Sequence, residues 1–158
     1  MKNVMVLIMM TALILTGGCA RKADIDAEKA AINTVLDQVI ESLDKEDIDL
    51  LSNVYAHDED MVCIGTEGSE RVVGWEPLKV MMQKQFEATD ESKLSVKDRT
   101  IKVHSSGQVA WFSEIIDWDI TAQGQTFQIK GLRGTGVLEK RDGSWVVVQV
   151  HYSVPAGS

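Results

Sequence analysis

At 158 residues the chain has room for one domain and little more. Its formal charge of -8, from 16 basic and 24 acidic residues, repels phosphate backbones, and no basic stripe offsets it, so nucleic acid is not an expected partner. The same charge opposes simple electrostatic docking on anionic lipid, so any membrane association needs another cause.

Met1 to Gly18 reads as a targeting segment. Lys2 supplies a positive start, and Val4 to Leu15 is an almost unbroken apolar run of 12 residues. A bilayer-spanning helix needs roughly 20, so this length suits the apolar core of a secretory signal instead. The run ends in Leu15-Thr16-Gly17-Gly18-Cys19-Ala20, which resembles the lipobox of bacterial lipoproteins. There, small side chains precede the cut and the cysteine thiol carries the diacylglycerol. Leu sits one place earlier here than that pattern usually has it. The resemblance implies a signal peptide over 1–18, a lipidated tether over 19–25 and a domain over 26–158. Ala20 in place of Asp implies, by Gram-negative sorting, an outer-membrane anchor facing the periplasm. With Cys19 lipidated, Cys63 is the only thiol left, in the apolar run Met61-Val62-Cys63-Ile64, where it reads as a small buried hydrophobe.

The mature chain begins helical. Ile32, Val35, Leu36, Val39, Ile40 and Leu43 recur at steps of three and four, an amphipathic helix that Asp24 or Asp26 can cap. Lys45-Glu46-Asp47 breaks it, and a shorter helix follows with Ile48, Leu51 and Val54 or Tyr55 on one side. His57 to Asp60 is a polar turn. Met61 to Gly65 and Arg71-Val72-Val73 read as short strands around a loop. Gly74-Trp75-Glu76-Pro77 opens a third helix, with Pro in its first turn and Leu78, Met82 and Phe86 on its buried side. From Leu94 the period changes to two. Leu94 to His104, Val109 to Thr121, Thr126 to Leu138 and Ser144 to Val154 are expected strands, joined by turns at Ser105-Ser106-Gly107, Ala122-Gln123-Gly124 and Arg141-Asp142-Gly143. Helices first and a meander last is an α+β layout. In the last strand Trp145, Val147, Gln149 and His151 are assigned one face and Val146, Val148, Val150 and Tyr152 the other. A strand apolar on both faces is rarely left to water. Helices would cover one face and a second copy the other, so a homodimer is expected.

Gly74-Trp75 before a helix ending near Phe86, then Val109-Ala110-Trp111-Phe112, and above all Leu138 to Ser153 with Asp142-Gly143 before Trp145 and a strand ending His151-Tyr152-Ser153, resemble the SnoaL-like branch of the nuclear transport factor 2-like superfamily. The resemblance covers roughly Asp26 to Ser153. It implies a cone-shaped, cystatin-like fold with three N-terminal helices packed on a curved, mostly antiparallel sheet around a pocket. Function does not follow, because such folds host isomerases, cyclases, dehydratases, ligand binders and assembly modules.

The tail is similar to that of ketosteroid isomerases, whose chemistry needs a carboxylate base beside an oxyanion hole of Tyr and protonated Asp. Tyr55-Ala56-His57-Asp58 resembles the helix end of those enzymes. The base position falls on Cys63 or Ile64, and the oxyanion acid near Thr135 or Gly136, so both acids are missing. Dehydratase-type relatives use His with Asp. His57-x-x-Asp60 fits that spacing, but a polar, mostly solvated turn between helix and strand is the stronger reading. His151 is the best acid–base candidate, against a core imidazole satisfied by a carbonyl. Arg133 shares parity with Phe127, Ile129 and Val137, so its charge is expected inside, paired either with Glu114 or with an acidic ligand. The expected pocket is Tyr55, Trp75, Met82, Phe86, Trp111, Arg133, Gln149 and His151, aromatic walls with few polar groups. No metal-ligand spacing and no cofactor motif is present. Gly131-x-x-Gly134-x-Gly136 reads as bends of a curved strand rather than a phosphate loop. The combined expectation is an envelope lipoprotein whose cone binds a small amphipathic or acidic molecule. Its alternatives are a small isomerase, dehydratase or hydrolase using His151, and a protein-interaction module docking through the sheet face.

Overall fold

The computed structural model describes residues 23–67 and 70–155. The expected signal segment and Cys19 lie outside them. Among the described residues no helix is long and apolar enough to cross a membrane.

Three helices precede the long strands, as the periodicity requires. Helix α1 spans Ile25–Asp44 and is capped by Asp24, whose carboxylate accepts from the Ala27 amide at 3.2 Å. Helix α2, Ile48–Val54, is capped by Asp47, which accepts from the amides of Asp49 and Leu50. Strands β1 (Val62–Ile64) and β2 (Arg71–Val73) pair antiparallel, and helix α3 follows over Trp75–Ala88. Gly74, at φ +91°, makes the turn into α3 by donating its amide to the Met61 carbonyl. Strands β3 (Glu91–Val103), β4 (Val109–Ala122), β5 (Gln125–Arg141) and β6 (Ser144–Ser153) form the antiparallel meander. β3 starts three residues earlier and β5 ends three later than hydrophobic alternation alone predicts, because the ladder continues through polar residues.

The sheet order is β2-β1-β6-β5-β4-β3, with β1 parallel to β6 and every other pair antiparallel. The expected α+β, mostly antiparallel layout is therefore the observed one. Ile32, Leu36 and Val39 of α1, Leu51 and Val54 of α2, and Leu78 and Met82 of α3 pack against Phe112, Leu138, Val147 and Val150. Each such side chain contributes roughly 1.5–3 kcal/mol by leaving water.

Three of the four long strands carry one extra residue relative to the neighbouring strand. The register of β3 on β4 slips at Lys97, that of β5 on β4 at Lys130-Gly131, and that of β6 on β5 at Val148. One extra residue turns every later side chain to the opposite face. The inward set of β3 is consequently Leu94 and Val96, then Arg99, Ile101 and Val103. That of β5 is Ile129, then Leu132, Gly134, Gly136 and Leu138. That of β6 is Trp145 and Val147, then Val150 and Tyr152. Gly131 accommodates its bulge at φ +69°, with its amide donated to Asp117 at 3.0 Å. The reading of the 131–136 glycines as bends of a curved strand is correct at this position.

Candidate functional site

A cavity of about 440 Å³ lies between the helices and the concave face of the sheet. Leu43, Leu51, Leu78 and Met82 line it from the helices, and Leu94, Trp118 and Leu132 from the sheet. Its closed end carries Tyr55, Cys63 and Tyr152. Toward the outside lie Gly65, Thr66, Glu70, Met81, Gln85 and Ile120. None of these lining residues is cationic. The Trp118 indole N–H donates to Ser92 Oγ at 2.9 Å, so its polar atom is satisfied and the ring serves as apolar wall.

Tyr55 arrives here because α2 ends at Val54 and the chain turns extended, with the Ala56 amide donating to the Val147 carbonyl. Tyr152 arrives through the Val148 bulge. Burial, the largest cause in each case, pushes both phenols well above their ordinary range. Burial, with the Glu70 charge adding to it, pushes the Cys63 thiol up to about 11. Two phenols and a thiol, all uncharged at neutral pH, therefore form the polar part of the closed end.

Behind Tyr152 sits a buried ion pair. Arg99 Nε donates to Glu114 at 2.7 Å, the side chains being 9% and 2% exposed. Arg99 Nη1 reaches out to Asp37 at 2.6 Å and to Asn33 Oδ1 at 3.0 Å. Among the described residues, Arg99 Nη2 is the one buried side-chain nitrogen or oxygen without a partner. Desolvation raises the Glu114 carboxyl above its ordinary range, and the attraction of Arg99 works against that rise. Gly134 leaves the space: a Cβ there would lie 3.2 Å from both Glu114 Cγ and Tyr152 Cε1.

Of the eight expected pocket residues, Tyr55 and Met82 line the cavity. Trp75 is buried behind Tyr55, with ring centroids 6.2 Å apart, and Phe86 packs against the core without reaching the cavity. The other four are corrected. Arg133 is exposed, donates to the Val154 carbonyl, and is turned outward by the Gly131 bulge, so Glu114 pairs with Arg99 in its place. Gln149 and His151 are turned outward by the Val148 bulge, which brings Tyr152 inside. Trp111 needs no bulge to be misread: Ala110, Phe112 and Glu114 are the buried alternates of β4, leaving Trp111 43% exposed.

His57 stacks on Trp75 with centroids 4.7 Å apart and places Nε2 2.9 Å from the Ser52 carbonyl. It pins the turn after α2 and does not line the cavity. Among the described residues no cluster of three metal-ligating side chains occurs.

Arg99, Glu114 and Tyr152 are the site residues that sequence reasoning missed or misassigned. A signal existed for Arg99: the apolar alternates of β3 switch from even (Leu94, Val96) to odd (Ile101, Val103), which marks a bulge between them. In β6 the inward residues switch likewise, from odd (Trp145, Val147) to even (Val150, Tyr152), but Val146 and Val148 on the other parity are apolar too and mask the change.

A family model described as a SnoaL-like domain matches residues 32–157. Among solved structures, a nuclear transport factor 2-like superfamily protein from Salmonella enterica serovar Typhimurium superposes with a TM-score of 0.76 at 22% identity, covering 84% of this chain and 94% of that one. A nuclear transport factor 2-like protein from Pseudomonas putida gives 0.69 at 17% identity, covering 82% and 88%. A Caulobacter vibrioides protein with a cystatin-like fold gives 0.70 at 10% identity, covering 83% and 92%. At these identities the likeness speaks for the fold. No curated protein matches the chain significantly.

Proposed function

The chain belongs to the SnoaL-like family, and from that premise we propose that it is an envelope lipoprotein whose cone binds a neutral, largely apolar small molecule. The cavity is the observation that carries this reading. Its 440 Å³ falls within the roughly 300–1,000 Å³ of small-molecule sites, and aliphatic and aromatic side chains dominate its walls. The expectation of an acidic ligand rested on Arg133, which lies on the outer face. A carboxylate entering the cavity would meet no lining cation and would approach Glu70, with Glu114 behind the closed end. Acid–base catalysis by His151 loses its support for the same geometric reason, since the ring does not line the cavity.

The test is titration of the domain with Nile red, a neutral apolar dye. We expect saturable fluorescence enhancement with a single site per chain. Neutral apolar compounds should compete, dodecanoate should not, and binding should be weakened in Met82→Trp, which fills the cavity. Absence of saturable binding overturns the reading.

The anchor rests on Lys2, the Val4 to Leu15 run and Gly17-Gly18-Cys19, followed closely by α1 at Ile25. Two or three acyl chains, each methylene contributing roughly 0.8 kcal/mol, would hold the domain at the envelope, facing the periplasm in a Gram-negative cell. Metabolic palmitate labelling should appear in the wild type and vanish in Cys19→Ser. Label that persists in the variant excludes this anchor.

A further inference from the structure

We propose that the mouth of the cavity holds the ammonium group of an aliphatic amine, whose alkyl body fills the apolar interior. Glu70 is the counter-charge, with Thr66 and Gln85 as neighbouring oxygen acceptors. This rests on the apolar-cavity reading above and adds to it a charged head at the end where the bound molecule meets water.

The cavity lining carries one carboxylate, Glu70, and no cation. Local backbone fixes that carboxylate in place. The Gly65 amide donates to the Glu70 carbonyl at 2.7 Å, and the Glu70 amide donates to the Glu67 carbonyl at 3.0 Å. Glu70 Oε2 in turn accepts from the Glu67 amide at 3.0 Å. The side chain then folds back over Gly65, where a Cβ would collide with Oε2 and lie 2.8 Å from Glu70 Cβ. Glycine at 65 is what lets a half-buried carboxylate lie along the cavity wall. Among the described residues no cationic side chain comes within ion-pairing distance of Glu70.

The rim selects the head group. An ionised carboxylate offers about four lone-pair sites, and the Glu67 amide occupies one of them. An ammonium carries three donors and no acceptor, so it meets Glu70 while the side-chain oxygens of Thr66 and Gln85, also on the lining, can take its other hydrogens. Beside an apolar enclosure the pair is less screened than in open water, and a charge-assisted bond is roughly twice as strong as a neutral one. An alcohol head would make only the neutral bond. A carboxylate head would face Glu70 with nothing on the lining to offset the repulsion.

The test is displacement of Nile red at pH 7 by decylamine and by 1-decanol, which share an alkyl chain and differ in the head. Wild-type protein should bind the amine about tenfold more tightly. Glu70→Gln, which keeps an oxygen for the Glu67 amide, should remove that preference while Nile red and decanol bind as before. Asp98→Asn deletes the same charge from outside the cavity lining and should leave the preference intact. It separates the site from the general attraction of a chain carrying -8 for any cation. A second measurement needs no variant: the backbone amide resonances of Gly65, Glu67 and Glu70 should shift more with decylamine than with decanol. Equal binding of amine and alcohol to the wild type, a preference that survives Glu70→Gln or falls equally in Asp98→Asn, or equal amide shifts overturns the ammonium site alone. Failure of Nile red and both displacers to bind overturns the cavity reading and this inference with it.

Discussion

Gly136 and Gly143 show how differently one residue type can be required. A Cβ on Gly136 would lie 2.5 Å from the Gln149 carbonyl oxygen and 2.6 Å from Phe112 Cε1. The first of these is backbone in the paired strand β6, which cannot retreat without breaking the ladder. Gly143 has nothing within 4 Å, and its constraint is φ +88°, in the second position of the β5–β6 turn. Gly136→Ala should therefore destabilise the domain by about 2–3 kcal/mol through overpacking. Gly143→Ala should cost about 1 kcal/mol through backbone strain alone. Urea unfolding midpoints measure both, and equal losses would refute the steric account of Gly136. The Arg99–Glu114 pair has the opposite logic at the same scale. Its value lies less in net stability than in holding two buried charges against each other, and removing one partner would strand the other.

Helix α1 is tied to the sheet at both ends by side chains rather than by its apolar stripe alone. Near its start Glu28 accepts two hydrogen bonds from Lys140 Nζ, at 2.6 and 2.8 Å, and one from the Trp145 indole at 2.8 Å. The Lys140 hydrogen bond, followed by that from Trp145, holds the Glu28 carboxyl below its ordinary range. At its end Asp44 accepts from the Leu94 amide at 2.5 Å. Twenty residues of helix reach about 30 Å, so α1 spans the sheet from the β5–β6 turn to the start of β3. The bulges at Lys97, Lys130-Gly131 and Val148 are the matching devices in the sheet. They curve the strands over the helices and re-aim Arg99, Leu132 and Tyr152 inward. A flat sheet with unbroken parity would have pointed Arg133 and His151 into the interior and left Tyr152 outside.

At the scale of the whole molecule, the face of the sheet away from the helices carries Trp111 at 43% and Val109 at 36% exposure, with Val137 paired opposite Trp111. Lys102 Nζ lies 5.8 Å from the Trp111 ring centroid and partly shields it. Half-buried Val146 and Val148 extend the apolar character onto β6. We propose that a second copy covers this face. Sedimentation of the wild-type domain should show a dimer, weakened at low ionic strength by self-repulsion of a chain carrying -8. Trp111→Lys should give a monomer that still binds Nile red, because Trp111 does not line the cavity. A monomeric wild type would sink this proposal.

Local chemistry determined much of this protein without reference to the fold. The 3.6 period of Ile32 to Leu43, the Asp cap of α1, Pro77 in the first turn of α3 and the Asp142-Gly143 turn each act over a few residues, so the helices, the turns and the four-strand meander were legible, whereas the parallel pairing of β1 with β6 was not. The α+β class was legible too, and through the Leu138 to Ser153 stretch the family. The cavity lining was not. Which face a strand residue occupies is a running count along the chain, and a single extra residue inverts the count for everything after it. Whether that residue is extra depends on the partner strand, which is distant in sequence: Val148 bulges because Leu138 pairs with Val147 and Val137 with Gln149. Tyr55 and Met82, positioned by helix ends and helix faces, were found from the sequence. Arg99 and Tyr152 came inside, and Arg133, Gln149 and His151 went outside, only when the strands were paired.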